Sequence, residues 1–263
     1  MHPLWRPARP AQLPRQGLCA LTEGCLVGCK GCALHLDDAG ELLGRYNAGQ
    51  DKEVVLDICT YDNTIFLLQA CSITVHTSGE YSRDPTEKQP YHTFWGGLYP
   101  RGLVATSLDT LILVGMGGGG QGGVVMEHKL NVGGPRLIQG LTGPRSVCMH
   151  GRGDERRFYI TLDYGVQVHG ADWTVLLTIG RSGPDVERLM NPQHVTVTDD
   201  GSILVADAGN ERVCQFTPDG AYLGGVIAWE SREDTPLGIS LILPYLWVRT
   251  YSGKVTKFRI EAL

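Results

Sequence analysis

The chain has 263 residues, 42% hydrophobic and 19% charged, with a formal net charge of −5. That is apolar material for one globular core, and it excludes global basic character, so any nucleic-acid surface has to be a local face. No run of eighteen apolar residues occurs and the first residues lack a secretory signal's apolar stretch, which predicts a soluble, cytoplasmic chain with no membrane partner.

Thirty-five glycines and fourteen prolines suit a turn-rich all-β protein. In chain order, residues 1–12 read as a linker or closing strand. Six units of similar layout follow, at about 13–50, 53–90, 99–140, 143–183, 191–230 and 235–263. Each starts near a proline or its equivalent (Pro14, Glu53, Pro100, Pro144, Pro192, Pro236), at intervals of roughly 40–48 residues, the length of a four-stranded propeller blade. The fifth unit is the most regular. Val195 and Val197, Ile203 and Val205, and Val213 with Gln215 alternate with the residues between them, a period of two that indicates half-buried strands. Asp199-Asp200-Gly201, Asp207-Ala208-Gly209-Asn210 and Thr217-Pro218-Asp219-Gly220 separate them with turn chemistry. The expected fold is an all-β six-bladed β-propeller of four-stranded antiparallel blades. The last unit stops after three strands, so residues 1–12 are expected to complete blade 6 and remove an open sheet edge.

Asn191-Pro192, the run Gly201-Ser202-Ile203-Leu204-Val205-Ala206-Asp207, Asn210-Glu211-Arg212-Val213 and Asp219-Gly220 resemble an NHL repeat. With the other five units in phase, the chain is similar to the C-terminal NHL propeller of tripartite-motif (TRIM) E3 ubiquitin ligases. The resemblance implies a monomeric, non-catalytic recognition domain that binds RNA or a protein ubiquitination target through one face, conventionally the top. Ligase activity would reside in a RING domain upstream, in a parent protein open to oligomerisation.

Eight cysteines sit mostly within apolar runs, where a free thiol packs as a small hydrophobe, and reduced thiols fit a cytoplasmic chain. Cys25, Cys29 and Cys32 are the metal candidates, but zinc wants four ligands, no second CxxC occurs, and the repeat phase puts these thiols on a strand and the hairpin tip after it. No metal or other cofactor is expected. The glycine run 117–123 contains GxGxxG, yet Val124-Val125-Met126 continues it as a strand, so it reads as a hairpin tip. No G-x-S-x-G or HExxH occurs, which leaves a metal-dependent propeller hydrolase or lyase, or a pure protein-interaction scaffold, as the alternatives.

Charge falls in phase with the repeat. Arg15, Arg101 and Arg145 each follow the proline that leads into a blade. His194 lies in the lead-in to the fifth, and Lys30, Arg212 and Lys254 lie at or beside hairpin tips of the same face, with Tyr164 and Tyr251. The turns of the other face carry acids such as Asp37, Asp38, Asp62, Asp199, Asp200 and Asp219. A basic top with stacking tyrosines would take RNA or an acidic partner.

Overall fold

The computed structural model describes residues 17–48, 54–82, 91–93, 98–118, 122–130, 136–181 and 185–260. They form six antiparallel sheets arranged as a β-propeller, each built from strands consecutive in the chain. Blade 1 holds β1 (Leu18–Leu21), β2 (Gly24–Cys29), β3 (Cys32–Leu36) and β4 (Leu42–Asn47). Blade 2 holds β5 (Asp57–Tyr61), β6 (Thr64–Leu68), β7 (Ser72–Thr77) and β8 (Tyr91–Thr93). Blade 3 holds β9 (Leu98–Ala105), β10 (Thr110–Gly117), β11 (Gly123–Lys129) and β12 (Arg136–Leu141). Blade 4 holds β13 (Ser146–His150), β14 (Arg157–Leu162), β15 (Gly165–His169) and β16 (Val175–Ile179). Blade 5 holds β17 (Pro192–Val197), β18 (Ile203–Asp207), β19 (Arg212–Phe216) and β20 (Tyr222–Ala228). Blade 6 holds β21 (Pro236–Ile242), β22 (Tyr245–Thr250) and β23 (Val255–Arg259). The closing strand expected from residues 1–12 lies outside the described residues, as does the middle of the glycine run, 119–121.

The first strands adjoin one another in a closed ring, β1 to β5 to β9 to β13 to β17 to β21 and back to β1, and enclose an axial channel. Apolar side chains form six clusters, one at each junction between neighbouring blades. Leu26, Tyr46, Ile58 and Leu67 join blades 1 and 2; Ile112, Val114, Phe158 and Ile160 join blades 3 and 4. A period of two alone would leave each strand half-buried. Instead the second strands are buried on both sides: in β18, Ile203, Val205 and Cys214 of β19 pack toward blade 4, while Leu204 and Ala206 pack toward blade 6. Every residue of β18 is buried, because both faces of a blade meet another sheet.

The ring closes between blades 6 and 1. There Trp247 and Val255 pack on Leu18, Ala20, Cys25 and Leu36. The Ala20 N–H donates to Ser240 Oγ at 2.8 Å, and Lys257 Nζ meets Asp38 Oδ1 at 2.6 Å across the lower rim. Arg249 lies buried in the same junction, where its Nη1 donates to the carbonyls of Gly28 at 2.8 Å and Gly17 at 3.2 Å. This guanidinium joins the last described sheet to the first, two carbonyls at a time. Gly28 stands at a close approach: a Cβ there would lie 2.9 Å from the Val55 carbonyl oxygen. Arg249→Ala is expected to cost about 3 kcal/mol or more through the cavity and the two carbonyls left without their donor. Urea unfolding followed by tryptophan fluorescence checks it.

Candidate functional site

The loops leading into the first strands and the hairpins between second and third strands share the top face. Tyr164, at the β14–β15 tip, and Tyr251, after β22, are 69% and 68% exposed there. Tyr99 at the start of β9 and Val186 and Met190 before β17 are exposed as well. The expected cations are differently disposed. Arg15 lies outside the described residues. Arg101 is half-buried in β9 and already engaged. Arg145 is 18% exposed, and its Nη2 holds Asp163 Oδ1 at 2.8 Å. Lys30 is exposed at the β2–β3 tip and its backbone bridges Val54 at the approach to blade 2. Lys254 is half-buried, and its carbonyl closes the β22–β23 turn by accepting the Thr250 N–H.

Arg212 belongs to a network that explains the regularity of the fifth unit. Asp207, fully buried at the end of β18, accepts the Met190 N–H at 2.7 Å on Oδ1. On Oδ2 it accepts Asn210 Nδ2 at 2.7 Å and Arg212 Nε at 2.8 Å. Arg212 also donates from Nη1 to Tyr222 Oη and from Nη2 to the Arg188 carbonyl. One carboxylate thus ties the lead-in loop, the hairpin tip and the third strand together, and Arg212 carries the network on to Tyr222 of the outer strand. Asp207, Asn210 and Arg212 are cement for the blade, with the arginine's charge already neutralised.

Among the described residues the top is mixed in charge. Its arginines at 145 and 212 are paired with carboxylates, and its loops also carry Asp185, Glu187, Glu230, Glu233 and Asp234. Arg145, in a lead-in loop, meets Asp163 at the hairpin tip of its own blade, while Arg212 and Asp207 flank a single hairpin tip.

His194 is not on the top surface. Pro192 and Gln193 match Pro100-Arg101 and Pro144-Arg145, so His194 stands one position further in, on the innermost strand, in phase with Gly102 and Ser146. The equivalent positions in the other blades are Gly17, Asp57 and Gly238. Four of the six positions hold small residues, Gly102 being so close to Ser146 that a Cβ would lie 2.8 Å from its Cα, and the two larger ones come from opposite blades. His194 Nε2 lies 3.9 Å from Asp57 Oδ1, with the side chains 12% and 3% exposed. Asp57 accepts the Leu103 N–H of blade 3 on Oδ2 and the Ile58 N–H on Oδ1, both at 2.9 Å. His194 Nδ1 is buried without a hydrogen-bond partner among the described residues. Burial pushes the Asp57 carboxyl up to about 7, against the pull of those two N–H donors, and pushes the His194 imidazole down to about 4.

One step further along the channel are Cys19, Cys59 and Cys148, with Thr196, Ser240 and Val104 in the same phase, all half-buried. Burial raises the Cys19 and Cys148 thiols to about 11 and Cys59 well above its ordinary value, so they stay protonated and are poor nucleophiles. The metal candidates separate: Cys25 is buried in the junction with blade 6, while Cys29 and Cys32 face each other across the β2–β3 hairpin. Burial raises all three thiols, Cys29 to about 11. Among the described residues all eight cysteines are free, and no group of three or more His, Cys, Asp or Glu is disposed to hold a metal ion. No helix among them is long and apolar enough to cross a membrane.

A larger concavity, about 910 Å³, opens on the opposite face between blades 4 and 5, where Asp154, Glu155, Asp172 and Asp200 mix with Arg156 and Arg157. Its Asp172 and Asp200 carboxylates are committed to turns, bonded by Thr174 and by Thr198 with Ser202. A smaller pocket of about 210 Å³ lies on the top between blades 3 and 4, beside Tyr164.

Residues 189–216 match the family model described as NHL repeat. The match is the core of blade 5, and it includes the Asp207–Asn210–Arg212 network. Among solved structures, a streptogramin B lyase is similar at a TM-score of 0.64 and 11% identity, over 96% of this chain and 95% of that one. A catalytically inactive histidine-to-alanine variant of virginiamycin B lyase from Staphylococcus aureus with quinupristin is similar at 0.63 and 11%, over 98% and 87%. A chain of the nidogen/laminin complex is similar at 0.59 and 14%, over 92% of each chain. At these identities the likeness shows the propeller fold alone. Among curated proteins no sequence relative matches the chain.

Two outcomes follow. Asp207→Ala is expected to destabilise the fold by about 3–5 kcal/mol, since it leaves Arg212 buried without its carboxylate; chemical denaturation checks it. The channel pair sets opposed pH dependences. Asp57 titrates near 3.8 when unfolded and about 7 when folded, so its contribution is present below pH 4 and lost as pH rises toward 7. His194 titrates at 6.5 unfolded and about 4 folded, so its contribution is present above pH 6.5 and lost as pH falls through 4. His76 and His169, also pushed down by burial, act in the same direction as His194. Asp57→Asn is therefore expected to steepen the rise in stability between pH 4 and 6.5, and His194→Gln to flatten it, as read from urea midpoints across that range.

Proposed function

We propose that the chain is a non-catalytic recognition propeller of the kind carried by TRIM-NHL ubiquitin ligases, and that it docks a protein target on its top face. The exposed Tyr99, Tyr164 and Tyr251, set among arginines that are already paired, carry this reading. Exposed tyrosines with neighbouring Met190 and Val186 are the material of protein-interface anchors, whose energy comes from desolvating large rigid side chains. RNA binding rests on cations free to displace counterions, and Arg145 and Arg212 have carboxylate partners. The NHL match and the resemblance of the repeats to the tripartite-motif propellers support the ligase context, in which the propeller chooses the target and another module transfers ubiquitin. A lyase-like chemistry at the channel is disfavoured by the burial of His194 and Asp57, which leaves little of either side chain for a substrate to touch.

The test is partner capture by proximity labelling, with the intact chain compared against a Tyr164→Ala/Tyr251→Ala variant. Both tyrosines are exposed, so thermal unfolding should be unchanged while recovery of the specific partner falls about tenfold or more. If a random RNA pool binds at low salt and is lost in an Arg15/Arg101/Arg145→Glu variant, RNA replaces protein as the ligand.

A further inference from the structure

The top pocket beside Tyr164 is a formed cavity on the proposed docking face. Leu141 and Leu162 rest on the core cluster of blades 3 and 4 and give it an apolar wall. Tyr164 stands exposed at its margin. Its polar lining comes from two hydroxyls, Thr142 and Thr178, one carboxamide, Gln167, and two charged groups, Asp163 and Arg181. These charges are unequal in availability. Asp163 is held through Oδ1 by the mostly buried Arg145, so that pair is close to neutral. Arg181 is exposed at the rim and has no carboxylate partner among the described residues. The net charge offered to an incoming group is therefore positive. Gln167 adds a second indication, because its Oε1 is buried without a hydrogen-bond partner among the described residues. A carboxamide presents either its oxygen or its nitrogen after a half-turn of the terminal group. With Nε2 turned toward the cavity, Gln167 becomes a donor beside the two hydroxyls and the guanidinium.

We propose that this pocket receives an acidic side chain, aspartate or glutamate, of the protein partner. The carboxylate meets the Arg181 guanidinium, a charge-assisted contact, with Gln167, Thr142 and Thr178 as neutral donors and the Tyr164 ring as a wall against solvent. The cavity, about 210 Å³, suits one side chain with the backbone around it, so it acts as an anchor point within a wider interface. A basic side chain would face Arg181 uncompensated and compete with Arg145 for Asp163. The proposal rests on the protein-docking reading and adds to it the chemistry of one contact.

The experiment selects a displayed random peptide library against the intact chain, then measures the affinity of the recovered peptides. The expected result is a fixed Asp or Glu in peptides whose binding also depends on Tyr164. Replacing that acid by Asn or Gln, or making Arg181→Ala, should weaken binding about tenfold or more, and raising salt from about 0.05 to about 0.5 M should weaken it further. Arg181→Glu paired with a Lys substituted for the peptide's acid should restore part of the loss, a rescue that a merely structural role for Arg181 would not produce. Peptides that need Tyr164 and Tyr251 but carry a fixed basic residue, no fixed charge, or no sensitivity to Arg181→Ala would overturn the acidic contact and leave protein docking intact. If no peptide needs the top tyrosines, both readings fail.

Discussion

A blade of this protein is apolar on both faces, and no single blade can cover itself. In β18 the side chains alternate between the junction with blade 4 and the junction with blade 6, and none reaches solvent. Burying both faces of every sheet requires a neighbour on each side, and a finite row of sheets meets that requirement only by closing into a ring. The six separate clusters follow, as does the importance of the junction between the last described sheet and the first. There Arg249 supplies donors to Gly17 and Gly28 while Trp247 fills the space against Leu18 and Ala20.

Closure has a chemical consequence. It brings the first strands together around an axis, so residues far apart in sequence face one another across a narrow, poorly solvated space. Asp57 and His194 are the main case: neither has an unusual sequence neighbourhood, yet burial pushes their ionisations in opposite directions. Pairing within a blade, in turn, sets the lead-in loop and the hairpin tip of that blade side by side on the top rim. Charges in those loops then neutralise one another, as Arg145 with Asp163 and Arg212 with Asp207. Among the described residues, the top keeps aromatic and apolar surface, the exposed Lys30, and Arg181 beside a cavity without a carboxylate partner.

The NHL-like signature takes on a structural meaning in this setting. Asp207, Asn210 and Arg212 stand at the spacing needed for one buried carboxylate to serve a loop, a turn and a strand together. The most regular unit of the chain is thus the one whose polar residues are most fully used inside the fold. The irregular positions, where a histidine or an aspartate replaces a glycine at the channel or a tyrosine crowns a hairpin, are where the repeat departs from its own stability requirements.

The sequence by itself determined the architecture. Strand-length apolar runs, Asp/Asn/Gly turns and a repeat near 44 residues are local features, because turn geometry and the two-residue pleat act over a few residues at a time. It also placed Tyr164 and Tyr251 on hairpin tips, where exposure follows from position. Only the tertiary structure decided which charges are free, since a linear phase cannot show that Arg145 has Asp163 beside it. The same holds for His194, whose one-residue offset from the arginines moved it from the rim into the channel, and for the small cavity where blades 3 and 4 meet beneath Tyr164. Pairing, desolvation and cavities depend on which surfaces meet in space, across one hairpin for Arg145 and Asp163 and across the ring for Asp57 and His194.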